Sequence, residues 1–503
     1  MLTFRHTKTA SGAQAVQVVT YRDRRVVVLK HIGSANGEEE LILLDNEARV
    51  WISKYAQQSS IFPSIEPLIP KPTFLTELSG KQFVGIKYGL MYETFCLVYE
   101  HLGYATINNA LFRDLCIMRL VKPASKVRSL ELLRRYFCLS YSERSLYRAL
   151  PEFLKQKEEI ERLATTFISK QSEEDFSCVF YDVTTLYFES FDSDEFRKPG
   201  FSKDGKSQQP QVVVGLLVDK NGFPLKQEIF SGNTFEGKTM LPLIEAFQTE
   251  QKIKACTVVA DAGMLSFANM EELRTKGLTY IVGARLGNLP NSLLEQVISF
   301  FKNKQEGMIF RIQTAYGDLI CTYSEKRERK DRHDMEKQMD KAQKLLEQGE
   351  TVRRSKFIKA SKKGTYSFNE QLQEKTEHLL GLKGYYTNTT EQNLSNKEVI
   401  EKYKNLWRVE HSFRMSKSDL VARPIFHRKE DSIKAHLLIC FVALSMGEYL
   451  EKTTGLSLRK IVDLLNQVPD ARLKNIQTKK ELLLRAPLSE ETKILLKCLG
   501  VSY

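Results

Sequence analysis

The stretch "FSCVFYDVTTLYFE", residues 176–189, sets one carboxylate, Asp182, inside a run of apolar, aromatic and β-branched residues. Such a run reads as a strand of a sheet covered on both faces. A carboxylate placed there loses its hydration, which is costly unless a cation or hydrogen-bond donors meet it. Asp182 therefore points to a ligand. The runs that follow, "QVVVGLLVD" (211–219), "FPLKQEIFSG" (223–232), "KACTVVADAG" (254–263) and "TYIVGAR" (279–285), are also β-rich, with helical spans at 237–249 and 265–275. Strands in succession, then strands alternating with helices, predict an α/β domain on a mixed sheet flanked by helices. Asp261 closes the apolar run "TVVA" and is followed by small residues. It should project at the C-terminal edge of its strand, where α/β sheets place ligands. Taken alone, a strand-end aspartate is more often a turn or cap residue.

A third carboxylate makes the pair informative. In "YKNLWRVEHSFRMSKSDL", residues 403–420, helical spacing puts Tyr403, Leu406, Glu410, Phe413 and Lys417 near one stripe, with Trp407 beside it. A mostly apolar stripe faces a core or a cleft, although Glu410 and Lys417 also read as a solvated helix pair. If Asp182, Asp261 and Glu410 converge, they repel one another unless divalent cations lie between them. Two metal ions roughly 4 Å apart meet that demand and activate water or a 3′ hydroxyl for attack on phosphate. His411, one position off the stripe, reads as a helix-surface residue and not as a metal ligand.

Bulk properties agree with a polyanionic partner. The 503 residues carry a formal net charge of +13, with a pI near 9.1, and the basic surplus is spread along the chain. Nucleic acid therefore ranks above an anionic membrane surface. No run of 18 apolar residues exists and the start has no signal-peptide layout, so the expectation is a soluble intracellular protein with no membrane contact. Such a length predicts about two to four domains. The eight cysteines form no CxxC and read as reduced core residues.

The chain before Asp182 divides in two. Residues 1–101 alternate β-like runs with a helical stretch, and the proline cluster "FPSIEPLIPKPTF" (62–74) marks a break. Residues 102–175 are helical, with breaks at Lys122-Pro123 and Leu139-Ser140. Nine Lys/Arg against three Asp/Glu between 101 and 150 make this module basic. Its "LSYSERSLYRALPEF" (139–153) reads either as the second half of a helix-turn-helix, with a Ser cap and with Tyr147 and Leu150 turned inward, or as a basic helical hairpin packing on its neighbours. The whole-chain charge favours the DNA-binding reading.

Five motifs carry a family resemblance: "YDVTTLYFE", "SGNTFEGKTM", "VVADAGM", "YIVGAR" and "YKNLWRVEHSFRMSK". In order and approximate spacing they resemble the catalytic core of bacterial insertion-sequence DDE transposases, in the group whose third carboxylate lies in a Tyr-x2-Arg-x3-Glu-x6-Lys signature. The resemblance spans about 180–450. It implies a ribonuclease-H-like α/β core, with a triad of Asp182, Asp261 and Glu410 holding two divalent metal ions (Mg2+, or Mn2+ in vitro). It also implies phosphate contacts from Tyr403 and Lys417. Leu406 stands where the signature has arginine, and Arg408 and Arg414 are nearby candidates for that DNA contact. The core should fall in two parts, 176–285 and 385–455, around an inserted β-containing subdomain at 286–384, with a basic helical tail at 456–503. In the insertion, two β-like runs precede a highly charged helix, and "RRSKFIKASKK" (353–363) reads as tracking a phosphate backbone. The turn "SGNTFEGKTM" (231–240) places Thr234 or Glu236 near a helix start, with amides that can approach DNA.

The expected function is a cut-and-paste transposase. It would bind the terminal inverted repeats of its element as double-stranded DNA, cleave the ends and join the 3′ hydroxyls to target DNA. A homodimeric synaptic complex in the bacterial cytoplasm, at the nucleoid, goes with that reading. Two other functions remain open: a catalytically silent regulator derived from a transposase, and a ribonuclease-H-like nuclease that cuts without joining.

Overall fold

The computed structural model describes residues 2–10, 12–22, 25–58, 81–171, 176–202, 205–206, 208–251, 256–264, 266–347, 355–360 and 366–502. The proline cluster at 62–74 and both ends of the basic stretch, 353–354 and 361–363, lie outside the described residues. The chain forms two compact units, Met1–Gly80 and Lys81–Tyr503.

The first unit is an antiparallel sheet of β1 (Leu2–Lys8), β2 (Gln14–Arg22) and β3 (Arg25–Ala35), covered by α1 (Glu38–Gln58). Alternating residues of β2 face the helix, and Val16 and Val18 close on Ala48.

The second unit opens with β4 (Lys81–Lys87) and a helical layer: α2 (Gly89–His101), α3 (Ala110–Val121), α4 (Lys126–Phe137), α5 (Glu143–Leu154) and α6 (Lys157–Gln171). The breaks fall where the sequence placed them. Pro123 follows α3, and Ser125 and Ser142 cap α4 and α5 by accepting from Arg128 N and Ser145 N. Within α5, Leu146, Leu150 and Phe153 are buried. Tyr147 was expected to turn inward but is exposed, because one residue past Leu146 is 100° round the helix from the buried stripe.

The core sheet follows with β5 (Cys178–Tyr187), β6 (Gln211–Val218), β7 (Pro224–Ser231), α7 (Met240–Gln251), β8 (Thr257–Ala260), α8 (Phe267–Thr275), β9 (Thr279–Ala284), α9 (Asn291–Phe300), β10 (Ile309–Thr314), β11 (Gly317–Tyr323), α10 (Glu325–Glu347), β12 (Ile358–Ala360), β13 (Tyr366–Phe368), α11 (Glu370–Leu379) and β14 (Leu382–Thr387). Eight strands form one mixed sheet in the order β10-β11-β14-β9-β8-β5-β6-β7. β5, β6 and β7 are antiparallel neighbours, whereas β5, β8 and β9 run parallel. The β-like runs after residue 286 were expected to belong to a separate inserted subdomain. They instead extend the core sheet through β14, which pairs with β9 on one side and β11 on the other. What stands apart is α10, α11 and the small β12–β13 sheet, with its own core of Met335, Ala342, Phe357 and Leu380.

The chain closes with α12 (Asn396–Lys404), α13 (Trp407–Ser418), α14 (Glu430–Thr454), α15 (Leu458–Asn466), β15 (Asp470–Asn475), β16 (Glu481–Arg485) and α16 (Glu490–Cys498). The tail is therefore not all helical, since β15 and β16 form a hairpin that pairs with β4. α14 is long and apolar enough to cross a membrane, but 83% of its most apolar window is buried. It packs on α3, α5, α13 and β7, which joins the helical layer to the sheet. Five of the eight cysteines are buried, Cys96 is half-buried, and Cys138 and Cys498 are exposed.

Candidate active site

Asp182 lies on β5, and Asp261 directly follows β8, the neighbouring strand. β5 and β8 run parallel with Tyr181 opposite Ala260, and each aspartate comes one residue later. Residues in register on adjacent strands leave the sheet on the same face, so the backbone brings the two carboxylates to one level. Asp182 is half-buried between buried Tyr181 and Val183, while Asp261 lies just past the end of β8 and is exposed. Asp182 is therefore less deeply buried than its apolar run implied, whereas Asp261 projects at its strand's edge as expected. β8 stops short of Asp261 and leaves that edge open to water.

Asp261 is held by an element the sequence merged with another. The stripe at 403–417 was read as one helix, but α12 and α13 are separate. Leu406 N bonds Tyr403 O and Arg408 N bonds Asn405 O, a tightened i→i+3 turn that redirects the chain. α12, started by a capping box of Ser395 and Glu398, packs on β8 and β9. It buries Tyr403, whose hydroxyl donates to Asp261 Oδ1 at 3.0 Å. Burial first, then the charge of Asp261, pushes the Tyr403 hydroxyl above its ordinary value, so it remains a donor. Gly283 makes the contact possible, because a Cβ there would stand 2.5 Å from the Tyr403 hydroxyl.

The same turn puts Glu410 in the first turn of α13, where the helix dipole favours a carboxylate, and Lys417 in the last, where it favours a cation. α13 packs on β5 and β6. Glu410 is exposed and Lys417 half-buried. Ser412 docks α13 on the β6–β7 turn through Gly222 O at 2.9 Å. Arg408 folds toward the same turn, 3.4 Å from Asn221 O, with its guanidinium 5.2 Å from the Trp407 ring centre. Arg414 is exposed. His411 faces α14, 3.4 Å from Glu448, which lifts the imidazole above its ordinary value.

Three of the sequence motifs meet at Gly263. A Cβ there would lie 3.6 Å from Glu236 Oε2, 3.7 Å from Arg285 Nη2 and 3.9 Å from Asp261 Oδ2. Glu236 thus stands near Asp261, beyond the role of a helix-start residue, and Thr239 links its turn to β5 by accepting from the Tyr181 hydroxyl at 2.7 Å. Lys383 on β14 completes the surroundings, with its Nζ 4.4 Å from the Tyr403 ring centre. Burial, followed by the nearby Arg327, holds Lys383 below the usual lysine value, against the opposing pull of Asp261 and Glu410. An open cavity of about 660 Å³ adjoins Asp261, with Arg285, Arg327, Lys356, Lys375 and Lys383 in its walls beside Asp331 and Asp334.

Carboxylate oxygens are the donors that Mg2+ and Mn2+ prefer, so the donor set of Asp182, Asp261 and Glu410 fits a divalent cation. Among the described residues no group of three His, Cys, Asp or Glu side chains is placed to hold one.

The family model for the transposase DDE domain matches residues 173–446, more than half of the 503 residues. The chain belongs to the DDE transposase family. The matched stretch begins ahead of β5 and ends within α14, so it takes in all three carboxylates. Membership implies dependence on a divalent metal. Among solved structures, the transposase is similar to a piggyBac transposase synaptic complex with hairpin DNA, at 10% identity over 82% of this chain and 70% of that one, with a TM-score of 0.36. It is also similar to a Mos1 transposase paired-end complex with the left transposon end, at 12% identity over 47% of this chain and 66% of that one, with a TM-score of 0.16. No curated protein matches it.

Two residues at the site escaped the sequence reading. Arg285 ends the quoted "YIVGAR", and its signal was a lone cation closing an apolar strand. Lys383 sits in "LLGLKGYYT", where a lysine between Leu382 and Gly384, just ahead of an aromatic pair, marks a strand cation in the same way.

Proposed function

We propose that this transposase works by cut and paste, binding the terminal inverted repeats of its element, hydrolysing the phosphodiester at each end and joining the freed 3′ hydroxyls to target DNA. The observation that carries the reading is the common level of Asp182 and Asp261 on parallel β5 and β8, with Tyr403 fixing the second of them. The order of the core, antiparallel β5-β6-β7 with parallel β8 and β9 on the other side of β5, supports a ribonuclease-H-like sheet.

Asp182, Asp261 and Glu410 would hold two divalent ions, Mg2+ or Mn2+, which supply Lewis acidity and lower the pKa of water or a 3′ hydroxyl. This chain's own residues do the rest. Tyr403 keeps Asp261 in one orientation by donating to Oδ1. Lys383 and Arg285 place positive charge beside the carboxylates, where a scissile phosphate would arrive. Lys417 lies seven residues after Glu410, roughly 10 Å along α13, within reach of a neighbouring backbone phosphate. Arg414 is open to DNA, whereas Arg408 would have to leave Asn221 to contact it. The basic helices at 102–175 would read the repeat, two copies of the chain would pair the ends, and the site of action would be the bacterial cytoplasm at the nucleoid.

Metal-dependent nicking and joining of a repeat-end duplex tests this reading. Nicking with joining supports transposition, nicking alone makes the chain a nuclease, and binding without nicking makes it a regulator.

A further inference from the structure

We propose that a second cavity, between the start of α4 and the segment after α13, binds a nucleotide, with its phosphate on a floor built by Arg119 and Lys126 and its base against a rim of Tyr147 and Phe426. The proposal deepens the DNA reading above and rests on it for the source of the nucleotide.

The cavity has a volume of about 630 Å³, within the range of small-molecule pockets. Its floor is basic and buried, with Lys126 3%, Arg119 4% and His436 5% exposed. Lys126 Nζ lies 2.9 Å from His436 Nδ1, and His436 Nε2 lies 3.0 Å from Ala422 O. Because Nε2 faces a carbonyl, it carries the proton, and Nδ1 accepts from Lys126. Among the described residues, no carboxylate lines the cavity. A buried basic group without a counter-charge pays for its charge or loses it, whereas Lys226, also deeply buried, is paired with Glu161 and Glu250. The floor is thus complementary to an anion.

The rim is aromatic and open. Tyr147 is 52% and Phe426 67% exposed, and both line the cavity. A cationic floor under exposed aromatic side chains matches a phosphate carried on a planar base. The cavity is also tied to the catalytic strand. Its wall is the segment after α13, in which Ile425 N bonds Tyr187 O at 3.4 Å at the end of β5. In that wall Val421 adopts φ 45°, a costly conformation for a β-branched residue. Arg119 holds it by donating to Leu420 O and Val421 O.

The ionisation of the floor gives an independent readout. The groups facing Lys126 are Arg119 and Cys116 on α3, His427 in the wall, and His436 and Cys440 on α14. Burial, then Arg119, holds Lys126 well below its ordinary value; burial, then Lys126, does the same for His436; and burial lowers His427 to about 4. An arriving phosphate favours the charged forms, so binding should take up protons.

The experiment is calorimetric titration of the full chain with deoxyadenosine 5′-monophosphate, a 5′-phosphorylated single-stranded oligonucleotide and inorganic phosphate. EDTA is present, so that the carboxylate site contributes nothing, and two buffers of different ionisation enthalpy report proton uptake. Lys126→Met, which keeps the side-chain volume, should weaken nucleotide binding by about tenfold or more. Tyr147→Ala, on the exposed rim, should weaken it by about tenfold while leaving inorganic phosphate unchanged. Asp261→Asn should bind as the wild type does even though it cannot nick, which separates this site from the catalytic reading. Binding of the oligonucleotide alone assigns the site to a DNA strand, and binding of both assigns it to any nucleotide 5′-phosphate. Binding of neither, or equal affinity in wild type, Lys126→Met and Tyr147→Ala, overturns the proposal.

Discussion

Glu161 and the Asp182–Asp261 pair rest on the same sheet and are treated in opposite ways. Glu161, on α6 against β7, is 1% exposed and closed on every side. Lys157 stands 3.0 Å from it and Lys226 3.2 Å, and Gln227 N donates to it at 3.2 Å. On β5, two strands from β7, Asp182 is half-buried, and just past the neighbouring β8 Asp261 is exposed, with a tyrosine hydroxyl on it and a lysine and an arginine held nearby but not closed upon it. A carboxylate that is neutralised on all sides supports the fold and has no capacity left for a ligand. A carboxylate held by one neutral donor keeps its charge available. The difference separates acids closed by the fold from acids left open to a ligand, and the open ones are the more exposed.

The largest effect should come from opening the closed cluster. Glu161→Ala removes one partner of a buried ion pair and should cost about 3 kcal/mol of stability, the low end for such a loss because Glu250 remains on Lys226. Urea unfolding measures it, and nicking per folded molecule should not change. A destabilisation well below 1 kcal/mol (about the value of an exposed pair) would erase the contrast between the two regions. Next, Tyr403→Phe removes the donor on Asp261. Nicking should slow by about tenfold and the metal concentration for half-maximal rate should rise, with the melting temperature nearly constant. An unchanged metal requirement would mean that the hydroxyl does not orient the carboxylate.

A smaller effect is expected at Lys417. Removing one phosphate contact with Lys417→Ala should reduce the salt dependence of DNA binding by about one unit of slope, with the metal requirement unchanged. An altered metal requirement would move Lys417 into the carboxylate site. The smallest effect concerns His411, whose pKa is raised by its hydrogen bond to Glu448. A raised histidine contributes stability that is fully present below its unfolded value, about pH 6.5, and is lost as pH rises through the folded value. His411→Gln should therefore flatten the decline of melting temperature above that pH, and an identical decline in both proteins would show that the contact contributes nothing.

Much of this was legible in the sequence because it is local. The five core runs became β5 to β9, since apolar β-branched stretches between turn residues have few alternatives, and Pro123, Ser125 and Ser142 fixed the breaks in the helical layer. What was missed depends on partners far along the chain. β11 joins the core sheet only because β14, some 60 residues later, bridges it to β9. The break between α12 and α13 has no glycine or proline to announce it, so Asn405-Leu406 read as continuous helix. The gathering of Glu236, Arg285 and Asp261 around Gly263 joins three motifs that sequence order keeps apart. The floor of Lys126 and His436 joins residues 310 apart in the chain.

The most direct test of the central claim, that Asp182, Asp261 and Glu410 ligate the catalytic metal, is a change of donor atom. Asp182→Cys and Asp261→Cys replace a hard oxygen with a thiolate, which accepts Mn2+ far better than Mg2+. Nicking of a repeat-end duplex should vanish in Mg2+ and return in Mn2+ for both variants, while the wild type uses either ion. Full activity of either variant in Mg2+ would contradict metal ligation by that aspartate and, with it, the site described above.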